Sequence, residues 1–476
     1  METRSIFKNI SPIDHRYSIS EAAVYNALAP WLSEEALISS CVKAEVALIF
    51  AHLAARGELT SQIRAKMESI IIDPAEIYAE EEKTRHNIRA LVNVLKGKVP
   101  QEIAPLIHLG ATSVDILDTS LSWRIRGVTR NVILPFLKKL ELLLCGFAER
   151  EAETPQVGRT HGQHAVPITL GFAIAEYVAR LGKSILEIER RADELKGKLS
   201  GAVGAYNATG MIVKDPQELE RVYLEELGLE PSEYSTQLVE PEYLLRLLLE
   251  FNVAFGIIAN LADDLRNLQR SEIGEVREGF GADQVGSSTM PQKRNPWNSE
   301  HIKSLWKAFM PRVNTFFMDQ ISEHQRDLSN SASQRFIADY ITGFALAVSR
   351  MAKVIEGLRA DREKLLSNLQ SGSICGGIMA EPAYILLSQS GVKDAHEVIR
   401  KVTLAAENEK ITFAAALSRE PQTLEKIGAK LLELGLISTA DNDGILSFFE
   451  NPQKYRGLAA EKARTLAQKY KLMFNA

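Results

Sequence analysis

Apolar residues recur along this chain at alternating steps of four and three, the spacing that lays one stripe along a helix. Ile174, Val178, Leu181, Ile185, Ile188, Ala192, Leu195 and Leu199 follow one another in this way without a break. Leu244, Leu248, Phe251, Phe255, Ile258, Ala262 and Leu265 do the same behind Pro241, a residue suited to a first helical turn. Ile133, Leu137, Leu140, Leu144 and Phe147 form a third, shorter series. A stripe of period 3.5 lets helices lie side by side at a shallow angle, so the pattern predicts a bundle and is silent on chemistry. The helices so predicted run to about 30 residues, more than twice the ordinary mean. A helix of that length extends past one compact core, and we therefore expect a homo-oligomer built on a shared bundle.

Helical periodicity holds nearly everywhere, and no run of alternating polarity is long enough to build a sheet. The expected fold is all-α, with three helical domains and a central long-helix bundle that oligomerises. Breaks in the pattern place an N-terminal helical domain at 1–110, ending near Leu109–Gly110, and the long-helix region at 111–362. A shorter helical domain follows at 363–476, punctuated at Ser371-Gly372-Ser373 and Gly376-Gly377. A chain of 476 residues is long enough for two to four cores.

Composition narrows the function classes. With 45% hydrophobic and 25% charged residues the chain has the balance of an ordinary globular protein. Its formal charge of −5, without long runs of one sign, offers no basic face for phosphates and argues against a nucleic-acid partner. Cys41, Cys145 and Cys375 form no CxxC pair and read as buried free thiols of a reducing compartment. The start METRSIFKN lacks the layout of a signal peptide, and no stretch approaches about 18 consecutive apolar residues. The expectation is a cytoplasmic protein without a membrane partner.

Four stretches could carry chemistry. The first runs from Gly274 to Glu300, with glycines at 274, 279, 281 and 286 that describe a mobile loop between helices. Ser287, Ser288, Thr289, Lys293 and Asn295 then lead into a helix beginning near Pro296–Asn298. Such a helix start, with unpaired N–H groups, is a natural seat for a carboxylate. The second is Gly158-Arg159-Thr160-His161-Gly162-Gln163-His164, just before a long helix. His161 suits proton transfer near neutral pH; a metal site with His164 lacks an acidic or Cys partner, and no metal is expected. The third is His108-Leu109-Gly110-Ala111-Thr112-Ser113, whose hydroxyls either cap a helix or bind a carboxylate. The fourth, Lys83-Thr84-Arg85-His86-Asn87, lies in a charged segment that reads as a solvated face.

Together these stretches resemble the fumarase/aspartase superfamily. Gly286-Ser287-Ser288-Thr289-Met290-Pro291-Gln292-Lys293-Arg294-Asn295-Pro296 matches that family's GSSxMPxKxNP signature. Within it, Gly158–Ala165 is similar to the GRTHGQxA segment of the branch that cleaves adenylosuccinate. Ser11–Ser18 resembles that branch's SPxDxRY segment, and Arg326–Ser331 with Arg335 resembles the segment that holds the AMP portion. Arginine suits a phosphate because its planar fork makes paired, charge-assisted bonds.

The resemblance implies a lyase converting adenylosuccinate to AMP and fumarate, with the succinyl-aminoimidazole carboxamide ribotide step of purine synthesis alongside. It implies no cofactor, and a homotetramer whose sites draw on three subunits. His161 resembles the general acid, Glu300 the carboxylate that orients it, and Ser288 the loop serine that removes the Cβ proton, with Ser287 the second candidate. Lys293, Asn295, Thr112 and Ser113 resemble the cage for the succinyl carboxylates. His86 and His108 resemble histidines near the phosphate and reacting centre, Gln237 a substrate contact, and Arg16, Tyr17, Arg326, Ser331 and Arg335 the nucleotide site. The chain departs from the pattern at Asn87, where relatives often have Asp, and at Asn330 and Gln292, where His is common. Argininosuccinate lyase is the alternative, since its loop commonly reads MPQK, but it leaves Arg16, Arg326 and Arg335 without an obvious task. A non-catalytic scaffold would be expected to have lost the acid or the loop serine.

Overall fold

The computed structural model describes residues 4–281, 285–374 and 377–475, and helices make up most of it. The chain divides into two compact units. The first comprises Met1–Lys138, Lys183–Ile258 and Ser304–Arg350; the second comprises Lys139–Gly182, Ala259–Lys303 and Met351–Ala476. Each unit is thus assembled from three stretches of sequence, and the boundary falls inside the helices Leu170–Asp193 and Pro241–Leu268.

In the first unit the core is built around the helix Glu34–Ala55. Ser33 caps it by accepting the Ala36 N–H at 3.1 Å, and Glu34 and Glu35 lie in the first turn, where the helix dipole favours acids. Leu48 and Ile49 join Leu91 and Leu95 of the helix Asn87–Lys96 and Ile116 of the helix Ser113–Val128 in one fully buried cluster. Each such side chain stabilises by about 1.5–3 kcal/mol, and Leu48→Ala would cost about 2–5 kcal/mol because the surroundings could not close over the void.

The apolar series place the long helices well but overrun one end. Pro241–Leu268 spans 28 residues, with Pro241 in its first turn and Phe251, Phe255, Ala262 and Leu265 fully buried. Leu170–Asp193 spans 24 residues and stops short of Leu195 and Leu199. Both leucines are buried, but they flank a short strand, Lys196–Gly197, that pairs in parallel with Glu230–Pro231. Burial, which sets the periodicity, outlasts the helix. At Gly197 a side chain would collide with Leu224, so this glycine lets the chain pass close to the helix Pro216–Glu225. The third series lies on a helical run that is continuous from 113 to 150, through one π turn at Thr129–Ile133.

In the second unit a core of Leu386, Phe413, Leu417, Ile427, Leu431 and Phe448 joins the C-terminal helices. Ser371-Gly372-Ser373, expected as punctuation, continues the helix Arg362–Ile374 instead. The Ser371 hydroxyl bonds back to the Asn368 carbonyl at 2.9 Å, which satisfies it without a turn. The same unit holds the antiparallel hairpin Pro155–Thr160 and Gln163–Thr169. Among the described residues, strands occur only in two-stranded pieces. Cys41 and Cys145 are free and buried, while Cys375 and Gly376 lie outside the described residues. Two apolar stretches, Ala22–Ala55 and Pro241–Leu268, have the length and hydropathy of membrane spans, but 83% and 56% of their apolar windows are buried inside the protein.

Candidate active site

In the first unit, the segment Lys83–Asn87 is largely exposed, as expected, and holds the break between two helices. The helix Pro74–Thr84 ends at Arg85, whose φ of 56° is left-handed, and His86 then caps the next helix. Its Nδ1 accepts the Arg89 N–H at 3.2 Å. A ring nitrogen that accepts carries no proton, so the neutral ring holds its hydrogen on Nε2, 3.4 Å from Ser113 Oγ. This tautomer is assigned from the bonding.

Thr112 begins the neighbouring helix in a capping box: its N–H donates to Asp115 Oδ2 at 2.7 Å. Asp115 in turn forms a fully buried ion pair with Lys198. Capping and exposure to a binding site therefore coexist at Thr112. His86, Thr112, Ser113, Gln237, Ser331 and Arg335 all line one cavity of about 870 Å³. That is ample for a small molecule, since ordinary sites enclose about 300–1,000 Å³. Five separate stretches of sequence converge on it.

Four of the expected residues that belong to the first unit do not line this cavity. Arg16 and Tyr17 sit in a π-helical turn, Ile13–Tyr17, with Arg16 exposed. Arg326 folds back on its own loop, donating to the Gln320 carbonyl at 2.6 Å and to Ser322 Oγ at 3.1 Å. His108, at a φ of 60°, is clamped by the buried Glu45, which accepts its N–H at 2.9 Å and pairs with its Nδ1 at 2.7 Å.

Asp118 lines the cavity and was not singled out from sequence. Burial pushes its carboxyl up to about 6, against the opposing pull of the Val239 N–H at 3.0 Å and of the Lys198 cation. Its signal was present as a second Asp three residues beyond Asp115 on one helix. Glu45, an acid within an apolar helix, was similarly legible.

In the second unit the Gly158–His164 stretch does stand before a long helix, Leu170–Asp193, but it forms a β-hairpin. Thr160 pairs with Gln163, leaving His161 and Gly162 as a two-residue turn with φ of 55° and 74°. Positive φ at both central positions is the I′ geometry whose twist matches the strands. Gly158 lies at a register irregularity, where a Cβ would stand 2.5 Å from the Val166 carbonyl oxygen. The exposed His161 ring is thereby carried at the hairpin tip. Behind it, Arg159 reaches the fully buried Glu275. Opposite Arg159, His164 is held below the usual histidine range, first by burial and then by the Arg159 cation.

The signature loop is compact where it is described. Ser287 Oγ accepts the N–H groups of Thr289 and Met290 at 3.3 and 3.1 Å, whereas Ser288 is exposed. The Asn295 side-chain amide donates to the Gly286 carbonyl at 2.9 Å, drawing the loop's ends together. A side chain on Gly286 would meet the Lys293 carbonyl, so only glycine fits there. The helix does start at Trp297, as expected, with Glu300 in its first turn and exposed. A carboxylate does occupy its N-terminus, but it is the chain's own: Glu278 accepts the Ser299 N–H at 3.1 Å. Among the described residues, none of this unit lines the 870 Å³ cavity. Among the described residues no three of His, Cys, Asp and Glu are grouped to hold a metal ion.

Comparison with known proteins agrees with these motifs. The sequence model of the family described as "Lyase" matches residues 15–308, and that of "Adenylosuccinate lyase C-terminal" matches residues 322–437. The curated adenylosuccinate lyase of Pyrococcus horikoshii is 33% identical, over 86% of this chain and 90% of its own length. That of Methanocaldococcus jannaschii is 30% identical over 97% of each. Among solved structures, the 3-carboxy-cis,cis-muconate lactonizing enzyme from Pseudomonas putida aligns with a TM-score of 0.78 at 25% identity, covering 95% of this chain and 98% of that one. The fumarate lyase from Mesorhizobium sp. BNC1 aligns with a TM-score of 0.77 at 21% identity, covering 93% and 97%, and shows the fold.

Proposed function

This chain belongs to the adenylosuccinate lyase family, and from that premise we propose that it cleaves adenylosuccinate to AMP and fumarate by β-elimination. The same site would process the succinyl-aminoimidazole carboxamide ribotide of purine synthesis. The observation that carries this reading is the cavity on which His86, Thr112, Ser113, Gln237, Ser331 and Arg335 converge, pairing hydroxyls and an amide with a guanidinium fit for an anionic ligand.

The chemistry then proceeds from these groups. Ser288 removes the proton from the succinyl Cβ, next to the far carboxylate, which becomes a doubly charged aci-carboxylate. Lys293 and Asn295, with Thr112 and Ser113, stabilise that charge with fixed donors, usually the largest catalytic contribution. Collapse of the carbanion breaks the bond between the succinyl carbon and the purine nitrogen. His161, oriented by Glu300, gives the nitrogen its proton, and fumarate leaves. Ser288 is favoured over Ser287 because the Ser287 oxygen already accepts two backbone N–H groups. A serine is a weak base, and Lys293 supports its alkoxide once substrate excludes water. His86, His108 and Gln237 contact the substrate, and Arg16, Tyr17, Arg326, Ser331 and Arg335 hold the nucleotide. For Arg326 this requires release from Gln320 and Ser322.

We read the protein as a soluble, cytoplasmic homotetramer whose sites combine several subunits, organised along the chain as domains 1–110, 111–362 and 363–476. The cavity's lining comes wholly from the first unit. The test is the ultraviolet absorbance change on mixing with adenylosuccinate, with fumarate release from argininosuccinate measured in parallel. Turnover of the first substrate, abolished in His161→Ala and Ser288→Ala, is the expected result. Fumarate from argininosuccinate alone would overturn the nucleotide assignment and leave the elimination.

A further inference from the structure

The helix Trp297–Phe309 has an unusual cap. The residue before it is Pro296, which has no side-chain acceptor, and the Asn295 amide is engaged with Gly286. Helices are ordinarily capped by a neighbouring Ser, Thr, Asp or Asn. Here the acceptor comes from 20 and 21 residues earlier in the chain. Glu278 Oε1 accepts the Ser299 N–H at 3.1 Å and the Ser299 hydroxyl at 2.5 Å, while Oε2 accepts the Asn298 side-chain amide at 3.0 Å. On its other side the Glu278 N–H donates to Gln269 Oε1 at 2.9 Å, and Gln269 Nε2 bonds the Leu265 carbonyl at 3.0 Å. Glu278 therefore ties the end of one long helix to the start of the next.

Two consequences follow for the groups assigned to chemistry. Glu300 comes directly after Ser299, whose N–H and hydroxyl both bond the Glu278 carboxylate, so the backbone from which Glu300 projects is held there. The positive end of the helix is also already occupied by a negative charge. A substrate carboxylate would be repelled there, which leaves Lys293 and the hydroxyls of Thr112 and Ser113 to hold it.

We propose that Glu278 is a positioning residue of the elimination, acting through Ser299 on Glu300 and on the stem of the loop that carries Ser288 and Lys293. The proposal rests on the catalytic reading of Glu300 and Ser288 given above. It makes no contact with substrate necessary for Glu278 itself. Misplacement of a reacting group by about 1 Å can cost about 10²-fold in rate, so a displaced stem is felt in turnover before it is felt in binding.

The experiment compares the full-length parent with Glu278→Gln, which preserves size but turns an amide NH₂ toward donors. Expected is a fall in kcat for adenylosuccinate of about 10- to 100-fold with KM changed less than about threefold. The primary isotope effect, with substrate deuterated at the abstracted carbon, should increase because proton transfer has become slower relative to the other steps. A kcat within about threefold of the parent, whether or not the melting temperature drops, overturns the proposal and leaves Glu278 a structural cap. Should Glu278→Gln fail to fold, Ser299→Ala removes one bond to the same carboxylate, and an unchanged kcat and isotope effect there overturn it equally. If the parent itself does not act on adenylosuccinate, the proposed function has failed. The positioning role is then judged by tryptic cleavage after Lys293 and Arg294. Faster cleavage in Glu278→Gln at those bonds alone supports the role, and unchanged cleavage refutes it.

Discussion

Arg159 and Glu275 form a bidentate ion pair two residues before His161, the guanidinium donating to both carboxylate oxygens at 2.5 and 3.1 Å. The carboxylate is fully buried and accepts two further bonds, from Gln156 at 2.8 Å and from Asn368 at 2.9 Å. Removing one member of such a group leaves the others unpaired away from water. Glu275→Ala is therefore expected to cost about 3–5 kcal/mol in denaturant unfolding. A loss below about 1 kcal/mol would show that the hairpin is held by its own strand pairing instead.

The Glu141 carboxyl is fully buried and both of its oxygens lack a partner. Burial holds it well above the usual carboxylate range. Since the folded value exceeds the unfolded one, its contribution is complete below the unfolded pKa and is lost as pH rises through the folded value. Glu141→Leu should accordingly raise the melting temperature, and by more near pH 8 than near pH 5. A gain independent of pH would mean that the carboxyl finds a proton donor or cation in solution.

Asp118 should leave a narrower signature. With its carboxyl pushed up to about 6, beside Asp115 and the Lys198 cation, the parent loses stability as pH rises from the ordinary Asp range through about 6. Asp118→Asn retains an acceptor for the Val239 N–H and should flatten that slope. Melting curves from pH 4 to 8 for the two proteins test this, and parallel curves would exclude it.

The two loop serines separate cleanly. Ser288→Ala is expected to lower kcat by about 10²–10⁴-fold, the range for a positioned proton-transfer group. Ser287→Ala removes an acceptor from the Thr289 and Met290 N–H groups and should chiefly loosen the loop, with a smaller effect. Steady-state kinetics of both variants decide the assignment, and the reverse ranking would exchange the roles.

Elements held by local pattern were legible and elements held by distant partners were not. Leu137, Leu140 and Leu144, taken from a period of 3.5, are all fully buried. The same reading ran past Asp193 to Leu195 and Leu199 because it detects burial, and burial continues where the helix stops. The loop's end and the helix start at Trp297 were given by Pro296 and the glycines. The turn at His161-Gly162 was missed, since the flanking strands are too short for alternation to register. Glu45 with His108 and Arg159 with Glu275 join residues 63 and 116 positions apart, and no spacing rule spans such distances. The helix-end anion site was recognised as a property of the backbone, but sequence could not show that Glu278 would fill it.

The His86 tautomer bears on inhibitor design. With Nδ1 occupied by the Arg89 N–H, Nε2 donates toward Ser113 Oγ, and the serine's own hydrogen is free to turn to the cavity it lines. A scaffold aimed at this wall should present a carbonyl, sulfonyl or tetrazole nitrogen at that point, whereas an ammonium group, which can only donate, would meet a mismatched polarity. Selectivity between chemotypes would thus be decided by a single backbone amide three residues along the chain, which no ligand touches.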